Sequence, residues 1–386
     1  MILELLAWLN EAGFTVPGVS ALSARAGLAA ILAFWVALIS GPPVVRWLTS
    51  KKVMEDEVNT DSKELNRINA AKAKVPTMGG VIIVGAVLIS AIVCADLQNK
   101  YVKFALLSTL GYGLIGLADD WIKLTHRGRS GLAVKMKYVL QLAIAMAVAV
   151  AVTKMFQVIG QQLPERFPAD YDPDLFEDLL ALHVPFTDWR IDLSGWGGLP
   201  HMFLVLLVVT GTSNAVNLTD GMDGLAAGSV AVAALALAAV CVVVGRAHEF
   251  APDRIFYSPH SQELAVFCSA MTGACLGFLW FNAPPAMVYM GDTGSLPLGS
   301  LLGYVAVVCK QELVLVIIGG VFVVETLSVI FQVGGYKLTG GKRLFLCAPL
   351  HHHYQFKKIP ETRIVVRFWI VSIICAAIGL ASLAVI

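Results

Sequence analysis

The sequence predicts an all-α integral membrane protein of about ten transmembrane helices, built as a single polytopic domain over residues 1–386. Three observations lead there. Hydrophobic residues make up 57% of the chain and charged residues only 14%, with a mean hydropathy of +0.75. Soluble chains are roughly 45–50% apolar and about 25% charged, so too few charges remain to coat a water-facing surface. Apolar runs of about 20 residues, the length that crosses about 30 Å of hydrocarbon, recur along the chain. Basic residues gather in alternate connections between those runs. This pattern excludes a cytosolic enzyme, a disordered regulator and a fibrous protein. With 28 Lys and Arg against 27 Asp and Glu, no basic excess points to nucleic acid.

The elements follow in order. The N-terminal MILELLAWL carries an early Glu4 and no basic n-region, which is not the pattern of a cleaved signal peptide. The expected spans are 26–48, 78–95, 102–120, 137–156, 199–217, 225–245, 263–282, 296–309, 313–336 and 365–385. The sixth is the cleanest, with no charge between Asp223 and Arg246; the eighth is short and the ninth contains Glu325. The seven cysteines show no CxxC spacing and lie mostly in apolar runs, so they read as small core residues.

Ten spans place alternate connections on one side. Those after the odd-numbered spans (49–77, 119–137, 217–224, 282–295 and 334–363) hold 17 of the 28 Lys and Arg. The positive-inside rule puts them in the cytoplasm and both termini outside. The external segment 160–198 holds eight Asp and Glu against Arg166 and Arg190. Asp172-Pro173 followed by Leu175, Phe176, Leu179 and Leu180 predicts a short amphipathic helix at the outer interface, and Thr187-Asp188 a hairpin turn.

Five polar segments fall in the connections assigned to the cytoplasm. Asp119-Asp120-Trp121-Ile122-Lys123 puts two carboxylates at a helix end, with a lysine one turn on. Neighbouring carboxylates repel unless a cation bridges them, and Mg²⁺ favours such ligands; a solvated helix end with an ion pair is the other reading. Asn214, Asn217, Asp220 and Asp223 recur every third residue, with Gly221 and Gly224 allowing a tight turn. Amides suit a nucleobase edge or sugar hydroxyls; helix capping accounts for one of the four. Tyr289-Met290-Gly291-Asp292-Thr293-Gly294-Ser295 sets an acid between glycines at a helix start, suited to phosphate, to a cation or to plain capping. His351-His352-His353-Tyr354 lacks metal-ligand spacing, so donation to phosphate or proton transfer is favoured over zinc, against a loop run without a role. Lys72, Lys74 and Pro76-Thr77 precede the second span, where cations attract anionic headgroups or a nucleotide. Together, acids for Mg²⁺ and cations for phosphate form the set that phosphoryl transfer needs.

PTMGG at 76–80, ADDWIK at 118–123, NAVNLTDGMDGL at 214–225, MGDTGS at 290–295 and PLHHHY at 349–354 occur in that order. In these motifs the chain resembles the polyprenyl-phosphate N-acetylhexosamine-1-phosphate transferase superfamily, over nearly its whole length. The unbroken HHH is similar to the branch that transfers phospho-N-acetylmuramoyl-pentapeptide. The resemblance implies attack of undecaprenyl phosphate on the β-phosphate of UDP-N-acetylmuramoyl-pentapeptide. The products are undecaprenyl-diphosphate-linked muramoyl pentapeptide and UMP. It further implies Mg²⁺ as cofactor, a homodimer, and a bacterial inner-membrane location with a cytoplasmic active site. By the same resemblance Asp292 binds Mg²⁺ with Asp119 and Asp120 nearby. Asp119 is the candidate base, a covalent role for it staying open, and His351 positions the diphosphate. Lys72, Thr77, Asn214, Asn217, Asp220, Asp223, Tyr289 and Gln332 map to nucleoside-sugar positions, with His352 and His353 beside them. Lys123 and Lys135 neutralise phosphate. Tyr289 stands where many members have Phe, and Gln355 where an acid is common.

Two other readings compete. A UDP-N-acetylglucosamine:polyprenyl-phosphate transferase would share the acids but not the HHH spacing. A secondary transporter fits ten spans and the intramembrane Glu325, but would place its polar site near the midplane and show repeats.

Overall fold

The structure is a computed structural model that describes residues 1, 3, 21–51, 75–125, 131–162, 178–187, 189–247, 258 and 260–383. Lys72 and the helix expected at Asp172-Pro173 lie outside these residues.

Among the described residues the fold is helical apart from one small hairpin. Its helices are α1 (Leu22–Ser50), α2 (Gly80–Cys94), α3 (Lys100–Thr125), α4 (Val134–Gln162), α5 (Gly195–Thr219) and α6 (Leu225–Gly245). They continue with α7 (Leu264–Asn282), α8 (Asp292–Val308), α9 (Glu312–Ile318), α10 (Gly320–Leu338), α11 (Leu350–Phe356) and α12 (Glu361–Ser382). Every expected apolar run is helical. Among the described residues, eight helices are long and apolar enough to cross a membrane, and α2 is a shorter apolar helix. This is the architecture of an integral membrane protein. The expected ninth span is two helices, α9 and α10, divided at Gly319. The expected hairpin is present: β1 (Ala181–His183) pairs antiparallel with β2 (Arg190–Asp192), Leu182 opposite Ile191.

Composition decides which helices lie inside. The sequence of α6 is apolar all round and rich in Ala, Val and Gly, so it has no polar face to turn outward. It packs against α7, and α7 in turn against α1 and α2. Every residue of α8 is buried, wrapped by α3, α5 and α2. The outer helices instead present Ile31, Trp35, Ile39, Leu327, Ile330, Phe331 and Ile370 outward, as a lipid-facing surface does. Polar groups lock the bundle at one end: Arg25 of α1 makes a two-point ion pair with Glu263, at 2.8 and 2.5 Å, and Asp96 N donates to the same carboxylate at 3.1 Å.

Two shorter helices place the site. At 1.5 Å per residue, α2 and α8 run only about 22 and 25 Å. The extended chain before each joins the other. Tyr289 N donates to Pro76 O (2.8 Å), Gly79 N to Tyr289 O (2.7 Å) and Gly80 N to Met290 O (2.8 Å). Backbone hydrogen bonds that a longer helix would make internally are thus made between two segments, in a buried position.

The approach is close enough to require glycine. A Cβ on Gly80 would come within 2.1 Å of Gly294 N, and one on Gly116 of α3 within 2.1 Å of Asp292 O. Three helices therefore meet backbone to backbone around the first turn of α8.

Candidate active site

Asp119 and Asp120 stand near the end of α3, and Asp292 opens α8. The close contact at Gly116, one turn before Asp120, brings them together. One oxygen from each carboxylate lies within 4.8 Å of the other two, and all three side chains are buried. Three like charges at this distance repel strongly in a poorly solvated position.

Two lysines offset that repulsion. Lys123 Nζ lies 2.6 Å from Asp119 Oδ2, 3.3 Å from Asp292 Oδ2 and 3.5 Å from Asp120 Oδ1. Lys137, in the first turn of α4, contacts Asp292 Oδ2 and lies 3.8 Å from Asp119 Oδ2. The remaining acceptor sites are used by the fold. Asp119 Oδ1 accepts from Leu132 N at 2.9 Å, and Asn217 Nδ2 donates to Asp292 Oδ1 at 2.7 Å.

Asp120 has a distinct task. Its Oδ2 accepts from Thr293 N (2.9 Å) and Thr293 Oγ1 (2.7 Å), and its Oδ1 faces Asp292 N at 3.4 Å. The residue before α8 is Gly291, which has no side chain to cap the helix. Asp120 supplies the cap from another helix, and a carboxylate suits the positive end of the helix dipole.

The Asn and Asp ladder leaves α5 and turns over this site. Asn214 Nδ2 donates to Gln141 Oε1 and Thr210 O, each at 2.8 Å. Asp220 ends α5, and Asp223 Oδ2 accepts from Ala286 N at 3.0 Å. Thr77 and Tyr289 lie half-buried in the paired segments before α2 and α8.

The histidine run forms α11, beyond that turn. His351 is fully buried, and its Nδ1 pairs with Glu325 Oε2 of α10 at 3.1 Å. His352 Nδ1 pairs with Gln355 Oε1 at 2.9 Å. His353 Nδ1 accepts from Leu346 N at 3.1 Å, and Gln332 Oε1 accepts from Leu344 N and Phe345 N at 3.1 and 2.9 Å. Burial, with Lys357 nearby, holds the His353 imidazole below its ordinary pKa, in keeping with an accepting ring nitrogen. Gln332 and His353 thereby tie down the loop between α10 and α11.

Of the residues expected at the site, the three acids, Lys123 and Asn217 lie in one cluster, and His351 lies on the far side of the Asp220–Asp223 turn. Lys135 lies exposed on α4. Lys137, two residues on, is not among the expected site residues; its one signal in the sequence is a second lysine at the start of the same helix. Thr293 lies inside the MGDTGS motif, and its role as donor to Asp120 is not legible there. Glu325, noticeable in the sequence as an intramembrane acid, pairs with His351.

Residues 102–310 match the family model described as glycosyl transferase family 4. The chain belongs to glycosyl transferase family 4. The family 4 match runs from the start of α3 to just past α8, and so contains all three acids, both lysines and Asn217. Among relatives, a phospho-N-acetylmuramoyl-pentapeptide-transferase of Thermodesulfovibrio yellowstonii is 42% identical over 93% of this chain and 92% of its own length. Enzymes of the same name from two strains of Nitratidesulfovibrio vulgaris are 41% identical over 94% of the chain and 92% of theirs.

Proposed function

We propose that this family 4 enzyme transfers phospho-N-acetylmuramoyl-pentapeptide from UDP-N-acetylmuramoyl-pentapeptide to undecaprenyl phosphate. The products are the undecaprenyl-diphosphate-linked muramoyl pentapeptide, the first lipid intermediate of peptidoglycan, and UMP. The observation that carries this reading is the 42% identity over 93% of the chain to an enzyme named for that transfer. The buried acid–lysine cluster supports it, because phosphoryl transfer is chiefly positioning and charge neutralisation.

The residues present fit a divalent cation. Three hard oxygen donors converge at one point and have already drawn two ammonium groups to themselves. Asp292, with Asp119 and Asp120, would hold Mg²⁺, which when bound neutralises charge on the reacting phosphates. Asp119 takes the proton from the lipid phosphate, and His351 positions the diphosphate. Lys123 and Lys135 meet phosphate charge. Lys72, Thr77, Asn214, Asn217, Asp220, Asp223, Tyr289, Gln332, His352 and His353 serve the nucleoside and sugar.

The enzyme lies in the bacterial inner membrane as a homodimer, its active site on the cytoplasmic face and both termini outside. The lysine-rich connections beside the acids support that orientation. There a soluble nucleotide-sugar meets a lipid phosphate at the bilayer edge.

A transfer assay with radiolabelled sugar donors tests the reading. Purified protein is offered undecaprenyl phosphate with UDP-N-acetylmuramoyl-pentapeptide or UDP-N-acetylglucosamine. Lipid-linked label and UMP are expected from the first only. Label from UDP-N-acetylglucosamine alone would assign the chain to the other branch.

A further inference from the structure

Glu325 is the sole charge between Glu312 and Lys337, and its side chain is fully buried. An ionised carboxylate in that position is costly unless its oxygens are bonded. Among the described residues, the partners of its carboxylate all belong to His351. Oε1 accepts from the His351 backbone N–H at 3.1 Å, and Oε2 lies 3.1 Å from Nδ1 of the ring. A carboxylate only accepts, so Nδ1 carries the hydrogen.

His351 Nε2 is buried and has no hydrogen-bond partner among the described residues. It abuts Gly221, where an added Cβ would come within 2.3 Å of it. Leaving such a nitrogen unpaired is costly, so it calls for an explanation. A carboxylate that served only to staple the α11 backbone would need one oxygen and would leave the ring to find its own rotamer. Here the same group fixes the ring, and Nε2 lies under the Asp220–Asp223 turn.

We propose that Glu325 is a positioning residue: it locks His351 in the Nδ1–H form and keeps Nε2 in reserve, beneath Gly221, for the nucleotide-sugar taken up at that turn. This rests on the proposed function for the identity of the substrate, but the side-chain relationship stands apart from it. The logic is that of a carboxylate that orients a working imidazole without touching substrate.

Glu325→Gln separates orientation from folding. Its oxygen still accepts from the His351 N–H, but its amide N–H₂ donates to Nδ1 and selects the opposite ring form. Such partners typically contribute 10–100-fold, and up to about 10⁴-fold where the tautomer inverts. We expect kcat to fall within that range with KM for the nucleotide-sugar little changed and the thermal midpoint in detergent kept. Glu325→Asp, which retains the carboxylate, is expected to recover part of kcat. Nitrogen-15 NMR of histidine-labelled protein, with the His351 signal assigned by its loss in His351→Asn, is expected to show Nδ1–H in the wild type and Nε2–H in Glu325→Gln. Wild-type kcat in Glu325→Gln, or an Nε2–H ring in the wild type, overturns the proposal. If the wild type turns over neither donor, the proposed function fails, and the NMR result alone still decides the role of Glu325.

Discussion

Asp120 of α3 caps helix α8 through Thr293, with both the Thr293 N–H and its hydroxyl donating to one carboxylate oxygen, at 2.9 and 2.7 Å. The residue held by that cap is Asp292, next in the chain. Two acids of the cluster are therefore mechanically linked: moving Asp120 moves Asp292.

That link makes Thr293→Val informative, because it removes a donor without altering any charge. A hydrogen bond to a charged group contributes about 1.5–3 kcal/mol. The thermal midpoint should fall by several degrees. A displaced Asp292 should lower kcat by roughly 10- to 100-fold, as small misplacements at a reacting centre do. Thr293→Ser keeps the hydroxyl and should behave as wild type. Equal loss in both variants would mean that the methyl, not the hydrogen bond, matters.

Much of this was legible in the chain. Apolar run length foretold the long helices, because a lipid environment leaves little choice but helix; the short helix α11 carries the polar histidine run and has no such signal. The acids announced themselves because charge is rare here, and a rare residue in a motif is easily noticed. What escaped was pairing across sequence distance. Lys137 and Lys135 are alike in composition, and only the packing of α4 against α3 and α5 turns one toward the acids. Glu325 and His351 lie 26 residues apart, and no local periodicity joins them. The break at Gly319 was hidden because α9 and α10 are both apolar, so the hydrophobic run continues across it.

The glycine contacts predict a steric effect that chemistry alone does not. Gly116→Ala places a methyl within 2.1 Å of Asp292 O, and Gly80→Ala does the same at Gly294 N. The opposing atoms are backbone and cannot rotate away, so α3, α2 and α8 must separate. Overpacking of this kind costs about 1–3 kcal/mol. Each variant should still fold in detergent, with a lowered thermal midpoint, yet lose most of its turnover. Unchanged turnover in Gly116→Ala would show that the Asp292 position tolerates displacement.

The two lysines of α4 should separate kinetically. Lys137 contacts Asp292 and approaches Asp119 before any substrate arrives. Lys137→Met leaves the acids with Lys123 as the cation within 4 Å of all three. It should reduce kcat by 10-fold or more, on the order of one lost charge-stabilising group. Lys135 is exposed, so it acts only once an anionic substrate has come within reach. Lys135→Met should raise KM for the nucleotide-sugar and spare kcat. Steady-state kinetics on both variants decides, and a kcat loss confined to Lys135→Met would reverse the assignment.

Metal removal gives the sharpest test of the acid cluster. The structure balances three carboxylates against two ammonium groups, so added positive charge is favourable there but must compete with Lys123 and Lys137. Exhaustive chelation should abolish transfer, and Mg²⁺ alone should restore it; full turnover after chelation would remove metal from the scheme. Weakening the competition should strengthen metal binding. Lys137→Met is thus expected to reach half-maximal activity at lower Mg²⁺ than wild type, even though its maximum is smaller. Asp292→Asn should shift the other way, needing more Mg²⁺, because a carboxylate oxygen ligand is lost. Asp119→Asn and Asp120→Asn should each cost at least about 10²-fold in kcat, but for different reasons. Asn at 119 cannot take a proton, so added Mg²⁺ should not help it. Asn at 120 still offers an oxygen to Thr293, so the α8 cap and the thermal midpoint should largely persist while turnover is lost. Wild-type turnover in any of the three would remove that residue from the catalytic set. A Mg²⁺ requirement that does not respond to Lys137→Met would place the cation away from the lysine-bound face of the cluster.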